Sequence, residues 1–264
     1  MNKPQPTSTD EMWETMLSNP GWHRRLRRVH SRIPSGPRCK LCAAPFGGLG
    51  GSFMGLLGHK RWAKNPKYCS GCFRMLRDNH GGAEIDCSVL FADVRGSTPL
   101  AEQMHTMEFT RLMGRFYDAA ADVLVDHDAF VDKFVGDEII GIFVPAIAGE
   151  GHGKQAIEAA RGLLKTTGHG DAKGPWVPVG VGVNTGTAYV GSIGEGSDTE
   201  LTAMGDMVNT AARLSSAAAA GEILVTLPAA TRAQLPMAEL ERRSLELKGK
   251  SQRTDVVVVT VSAA

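Results

Sequence analysis

Long apolar runs are missing from this chain. None of its 264 residues falls in a stretch of 18 consecutive apolar ones, so no membrane-spanning helix is expected. A surplus of charge is missing too. The 29 basic side chains oppose 28 acidic ones, and a formal net charge of +1 argues against a dedicated nucleic-acid binder. The opening residues, MNKPQPTSTDEM, lack the charged-then-apolar order of a signal peptide. The expectation is a cytoplasmic protein without a membrane span. Hydrophobic content of 42% is enough for a packed core, and the length suits one domain of about 180 residues plus a smaller one.

Cysteine is sparse, with five in all, but four of the five are paired as Cys39-x-x-Cys42 and Cys69-x-x-Cys72. In a reducing compartment such spacing points to metal rather than disulfides. Each knuckle can turn two thiolates toward one ion, and two knuckles complete a closed tetrahedral site. The 26-residue spacer carries Gly47, Gly48, Gly50, Gly51, Gly55 and Gly58. Such a segment buries little apolar surface unaided, so a metal would supply folding energy. Zn²⁺ is the first expectation, a four-cysteine iron–sulfur cluster the main alternative, and a thiol–disulfide switch a third. Cys87 lies in an apolar run and reads as a buried small hydrophobe. Upstream, residues 23–32 (HRRLRRVHSR) hold five arginines. They could touch an acidic partner, a membrane surface or nucleic acid, or form a solvated helix leading into the cysteine module. The expected organisation is a basic, helical segment over 1–37, a four-cysteine module over 38–80, and a larger domain over 84–262.

In that larger domain, Ile85 to Ala92 reads as a buried strand ending at Asp93, followed by a turn with helix-start residues at 95–99. Glu108 to Leu124 has the apolar spacing of a long amphipathic helix. Phe130 to Phe143 (FVDKFVGDEIIGIF) reads as a hairpin turning at Gly136-Asp137. Gln155 to Lys165 is expected to be helical. Val177–Val183 and Ala188–Ile193 read as strands separated by Asn184-Thr185-Gly186. A helix over Asp206–Ala220, a strand at Ile223–Thr226, a short helix near Pro228–Gln234 and strands around Glu239–Leu247 and Asp255–Val261 complete the chain. Strands and helices alternate without strict βαβ repetition, so the fold class is a mixed-sheet α/β sandwich.

Asp93 and Asp137 each stand at the end of an apolar strand. Two such carboxylates brought together can hold hard cations of the kind phosphoryl chemistry uses. Asn209 and Arg213, four residues apart, share one face of the expected helix. VLFADVRGST (89–98), KFVGDE (133–138), GVGVNTGTAYVGSIG (180–194), TAMGDMVNTAARL (202–214) and LKGK (247–250) together resemble the catalytic domain of class III nucleotidyl cyclases, specifically adenylyl cyclases. The resemblance covers about residues 84–262 and implies a ferredoxin-like mixed-sheet sandwich. It implies that Asp93 and Asp137 bind two Mg²⁺ or Mn²⁺ ions per active site, and that Lys133 and Thr202 read adenine. It gives Asn209 the ribose and Arg213 the charge developing on the α-phosphate, with Lys248 or Lys250 on the triphosphate tail. In the family the metal carboxylates and the base readers come from different subunits, so a homodimer with interfacial sites is implied. The implied reaction is conversion of ATP to cyclic AMP and pyrophosphate. The alternatives are a cyclase for GTP or a pyrimidine triphosphate, or a silent nucleotide-binding scaffold. The cysteine module stands where relatives carry sensory modules, which implies regulation.

Overall fold

Two long strands form the spine. β1 (Gly81–Val94) pairs antiparallel with β4 (Val179–Ile193) along its whole length, from Gly81↔Ser192 to Val94↔Val179. The computed structural model describes residues 9–19, 22–63, 68–195 and 199–261, the side chains of 22–24 and 133–135 excepted. Before β1 come α1 (Thr9–Ser18), α2 (Trp22–Ser31), α3 (Gly48–Leu56) and α4 (Ser70–Asp78). After it come α5 (Ser97–Gln103), α6 (Thr106–Asp126), β2 (Phe130–Val135), β3 (Glu138–Phe143), α7 (Pro145–Ala148) and α8 (His152–Thr166). β4 is followed by β5 (Glu200–Met204), α9 (Asp206–Ala217), β6 (Glu222–Thr226), α10 (Leu227–Arg232), β7 (Glu241–Leu245) and β8 (Thr254–Thr260). The eight strands form one sheet in the order β2-β3-β1-β4-β6-β8-β7, with β5 beside the second half of β4. The β4–β6 pair is parallel and the other ladders are antiparallel, so the sheet is mixed as expected.

Alternation along β1 divides the core. Leu90, Ala92 and Val94 join α6, α8 and α10 on one face, among Phe116, Leu124, Ala160 and Leu163. Ile85, Cys87, Val89 and Phe91 face the other way, among α1, α4, α9 and the cysteine module. Cys87 is fully buried, and burial pushes its thiol up to about 12. On this second face α9 lies close against β4. A Cβ on Gly182 would sit 2.3 Å from the Ala211 carbonyl oxygen, so only glycine admits the approach.

The expected break at Asn184-Thr185-Gly186 is absent: β4 runs through it. These turn-forming residues stay in the ladder because their polar atoms find partners inside the fold. Asn184 Nδ2 donates to the Met207 carbonyl at 2.9 Å, and its Oδ1 accepts from Thr226 Oγ1 at 2.6 Å. Thr185 Oγ1 and Ser88 Oγ are 2.5 Å apart. β1 also differs from expectation, starting four residues earlier and carrying Asp93 inside the strand, where Gly180 and Glu138 pair with it on either side. The arginine-rich segment forms α2, which exposes Arg25 and Arg28 to solvent but buries its other face. Arg27 is 2% exposed and donates to the carbonyls of Lys40, Leu41 and Ala129, while His30 Nδ1 lies 2.9 Å from the Cys42 carbonyl.

Ser88 continues inward to His152, whose Nδ1 is 2.8 Å away. His152 is fully buried, and burial lowers its pKa against a smaller opposing pull from Glu150. The unfolded chain therefore takes up a proton that the fold resists. Stability is complete above the ordinary histidine value of about 6.5 and falls as the pH drops through it. Urea titrations at a series of pH values should show the midpoint declining below that value, and His152→Gln should flatten the decline.

Candidate active site and cysteine centre

The β1–β3 register pairs Asp93 with Glu138, and the Val94 amide donates to the Asp137 carbonyl at 3.1 Å. Asp93 thus lies beside the hairpin turn that carries Asp137, where Gly136 supplies the positive φ of +62°. Ser97, the first residue of α5, donates to the Asp137 carboxylate. Arg95 ion-pairs with Asp93 and donates to the Ser216 carbonyl at 2.9 Å. Burial raises the pKa of Asp93, with Arg95 opposing and Asp137 reinforcing. Burial likewise pushes Glu138 up to about 7, with Asp93 and Asp137 adding to the shift and the Ser215 hydroxyl, 2.9 Å away, opposing it. Excess negative charge in a half-buried place, offered by hard oxygen donors, suits divalent cations such as Mg²⁺ or Mn²⁺.

Lys133 lies in β2, where the register with β3 shifts between Val131 and Phe134. Its own side chain is outside the described residues. Thr202 lies in β5, and its hydroxyl donates to Asp132 Oδ2 at 2.7 Å. This bond joins β5 to the residue preceding Lys133. Thr202 is 7% exposed and Asp132 4%. Asp132 was not singled out from the sequence, where it reads as one more charge in a hairpin. Its only signal is adjacency to Lys133.

Asn209 is exposed and Arg213 half-buried on α9. The Arg213 guanidinium packs against the tight turn at Gly249, where an added Cβ would lie 3.4 Å from Nη2. The structure therefore brings Arg213 to the Lys248–Lys250 loop. Lys250 Nζ donates to Asp206 Oδ2 at 2.5 Å, and Lys248 is exposed. Ser215, whose hydroxyl reaches Glu138, is two residues from Arg213 and so about 200° around the helix. Within one chain, Arg213 does not share a helix face with the contact to the carboxylate cluster.

The four paired cysteines converge. The sulfurs of Cys39, Cys42, Cys69 and Cys72 all lie within 4.8 Å of one another, and three of the four residues are buried. They could hold one metal ion. Cys69 N–H donates to Cys39 Sγ at 3.2 Å and Cys72 N–H to Cys69 Sγ at 3.4 Å, contacts that stabilise thiolates. Hydrogen bonding to Cys39 pushes the Cys42 thiol up and pulls Cys69 down, so protons are shared where a cation could replace them. His59 Nδ1 stands 3.4 Å from Cys69 Sγ and 3.7 Å from Cys42 Sγ. The sequence reading missed it, although a histidine in the spacer of a cysteine module is a recognisable ligand or outer-shell donor.

This sheet, with its strand-borne carboxylates beside a Gly-Asp turn, has the fold of class III nucleotidyl cyclase catalytic domains. Residues 83–260 match the adenylate and guanylate cyclase catalytic domain, and the chain belongs to that family. Over 186 residues it is 27% identical to an adenylate cyclase of Anabaena cylindrica, a match covering 65% of this chain and 36% of that protein. The chain thus spans about a third of that relative's length. It superposes on the adenylyl cyclase CyaB from P. aeruginosa with a TM-score of 0.60 at 26% identity, covering 69% of this chain and 97% of that one. The guanylyl cyclase Cya2 gives a TM-score of 0.61 at 22% identity, covering 70% and 95%. Among the described residues, no helix is long and apolar enough to cross a membrane.

Proposed function

We propose that this protein is a homodimeric adenylyl cyclase that converts ATP to 3′,5′-cyclic AMP and pyrophosphate. The observation that carries the choice of adenine is the Thr202–Asp132 bond. A hydroxyl has one proton, and Thr202 commits it to a buried carboxylate. Toward a base it then offers only lone pairs, which suit the exocyclic amine of adenine and not the carbonyl of guanine. Lys133 supplies the complementary donor to ring nitrogen N1.

Asp93 and Asp137 are the residues to hold the two divalent ions, which when bound activate the ribose 3′-oxygen and neutralise the triphosphate. That oxygen gives its proton to solvent water and bonds to the α-phosphorus, and the bond from that phosphorus to the bridging oxygen breaks, releasing pyrophosphate. Asn209 holds the ribose in line for attack, and the Arg213 guanidinium offsets charge growing on the α-phosphoryl oxygens. Lys250 is engaged by Asp206, which leaves Lys248 for the triphosphate tail. Arg213 and the carboxylate cluster use different sides of α9, which supports completion of each site by a second chain, in a C₂ dimer with two equivalent sites.

For the cysteine centre the reading is zinc. Four sulfurs around an ion at a Zn–S distance of about 2.3 Å lie about 3.8 Å apart. Cys42 and Cys69 Sγ are 3.8 Å apart, and all four sulfurs lie within 4.8 Å of one another. An iron–sulfur cluster places its own atoms between the cysteines and spreads them further.

The test is product formation from each of the four ribonucleoside triphosphates, with Mn²⁺ and with Mg²⁺, on purified protein. Cyclic AMP should dominate. Preferential turnover of GTP or CTP would overturn the adenine reading, and ATP binding without any cyclic product would make the protein a scaffold.

A further inference from the structure

Two contacts leave the cysteine module and a third leaves α2 beside it, and all end on or beside the strands assigned above to base recognition. Tyr68, the residue before Cys69, accepts through its hydroxyl oxygen from the Leu201 amide at 3.1 Å, and Leu201 precedes Thr202. Lys40, the residue after Cys39, donates to the backbone carbonyl of Asp132, and Asp132 precedes Lys133. Arg27, bonded to the carbonyls of Lys40 and Leu41 inside the first knuckle, donates to Ala129 at the entry to β2. The first two contacts are each one residue from a cysteine at one end and one residue from a base reader at the other.

The strands they hold need holding. β2 ends the sheet order, and among the described residues β5 pairs with β4 alone, so each has a ladder partner on one side. Edge strands of this kind open locally more readily than interior ones. Tyr68, Cys69 and Phe73 of the module also belong to the same buried cluster as Phe130, Leu201 and Ala203.

We propose that the metal-loaded four-cysteine centre is part of the base-binding site. By fixing Lys40 and Tyr68 it fixes β2 and β5, so that metal occupancy sets nucleotide affinity. This inference rests on the assignment of Lys133 and Thr202 to the base. Lys40 and Tyr68 are positioning residues, which do not touch the nucleotide. None of these contacts touches Asp93 or Asp137 themselves, so the effect is expected on KM more than on kcat.

The experiment uses the full chain in four forms: zinc-loaded, chelator-stripped and then dialysed, Tyr68→Phe, and Lys40→Met. Elemental analysis should find one zinc ion per chain, held by the cysteines, in the loaded protein and in both variants. The variants should raise KM for ATP by about fivefold, and the stripped protein by more, with kcat within about twofold. Hydrogen exchange at the Leu201 amide should accelerate in the stripped protein and in Tyr68→Phe. Loaded protein without metal, or stripped protein with unchanged KM and unchanged Leu201 exchange, would overturn the proposal. Activity rising on metal removal would overturn it as well, making the module an inhibitor. If the loaded protein forms no cyclic nucleotide, the cyclase reading falls by itself, and Leu201 exchange on metal removal still decides the coupling.

Discussion

Asp137→Ala is expected to lose turnover by roughly a thousandfold or more while the protein melts no lower than wild type. The two halves of that result have separate causes. Asp137 is one of two carboxylates assigned to the metal ions, and without it neither the 3′-oxygen nor the triphosphate is neutralised. The fold, in contrast, gains from its removal. Burial is the main cause that raises the pKa of Asp93 and of Glu138, the latter to about 7, and the charge of Asp137 adds a smaller share. A carboxyl whose folded pKa exceeds its unfolded one costs stability as pH rises through that interval, and the cost is complete above the folded value. Taking away one of three crowded carboxylates lowers that cost. The loss of the Ser97 contact works the other way, but it is a half-exposed bond at the start of a short helix. The measurements are cyclic nucleotide formation and thermal unfolding at pH 8, on matched samples. Turnover retained in this variant would remove the two-metal assignment, and a large drop in melting temperature would make Asp137 a structural residue.

The elements that sequence made readable are those whose cause is local. α6 follows from apolar residues at helical spacing, and the β2–β3 hairpin follows from a glycine at a two-residue turn, which takes the left-handed conformation at Gly136. The convergence of the four cysteines was readable too, because paired knuckles have one simple geometric solution. What escaped is what long-range contacts decide. Asn184-Thr185-Gly186 has turn chemistry in isolation and becomes strand because Met207 and Thr226, distant in sequence, satisfy its amide. Arg27 looks solvated among four other arginines until carbonyls from Lys40, Leu41 and Ala129 surround its guanidinium. Asp132 acquires meaning only when β5 brings Thr202 against it, and a bond spanning 70 residues leaves no local trace. The same limit hid the contacts from Tyr68 and Lys40 to the sheet, which span 133 and 92 residues and leave no local trace.

Arg213→Ala is the second variant expected to be inactive, and combined with Asp137→Ala it tests how the site is built. Each variant alone damages both sites of a symmetric dimer. A dimer with one chain of each kind is different if the carboxylates and the guanidinium of one site come from opposite chains. One of its sites then carries both defects, and the other carries neither. Co-expression with two affinity tags, followed by sequential purification on both, isolates that mixed dimer. It should recover about half the wild-type activity, since one of two equivalent sites is intact. The structure supports this outcome in a specific way. Ser215 turns one side of α9 toward Glu138 at 2.9 Å, whereas Arg213 lies against Gly249 on another. For Arg213 to serve the carboxylates of its own chain, α9 would have to rotate, and β4 forbids this because the helix backbone sits within 2.4 Å of where a Gly182 side chain would begin. An inactive mixed dimer, with both parent variants folded, would place both halves of the site in one chain. It would leave α9, not the dimer, as the element to re-examine.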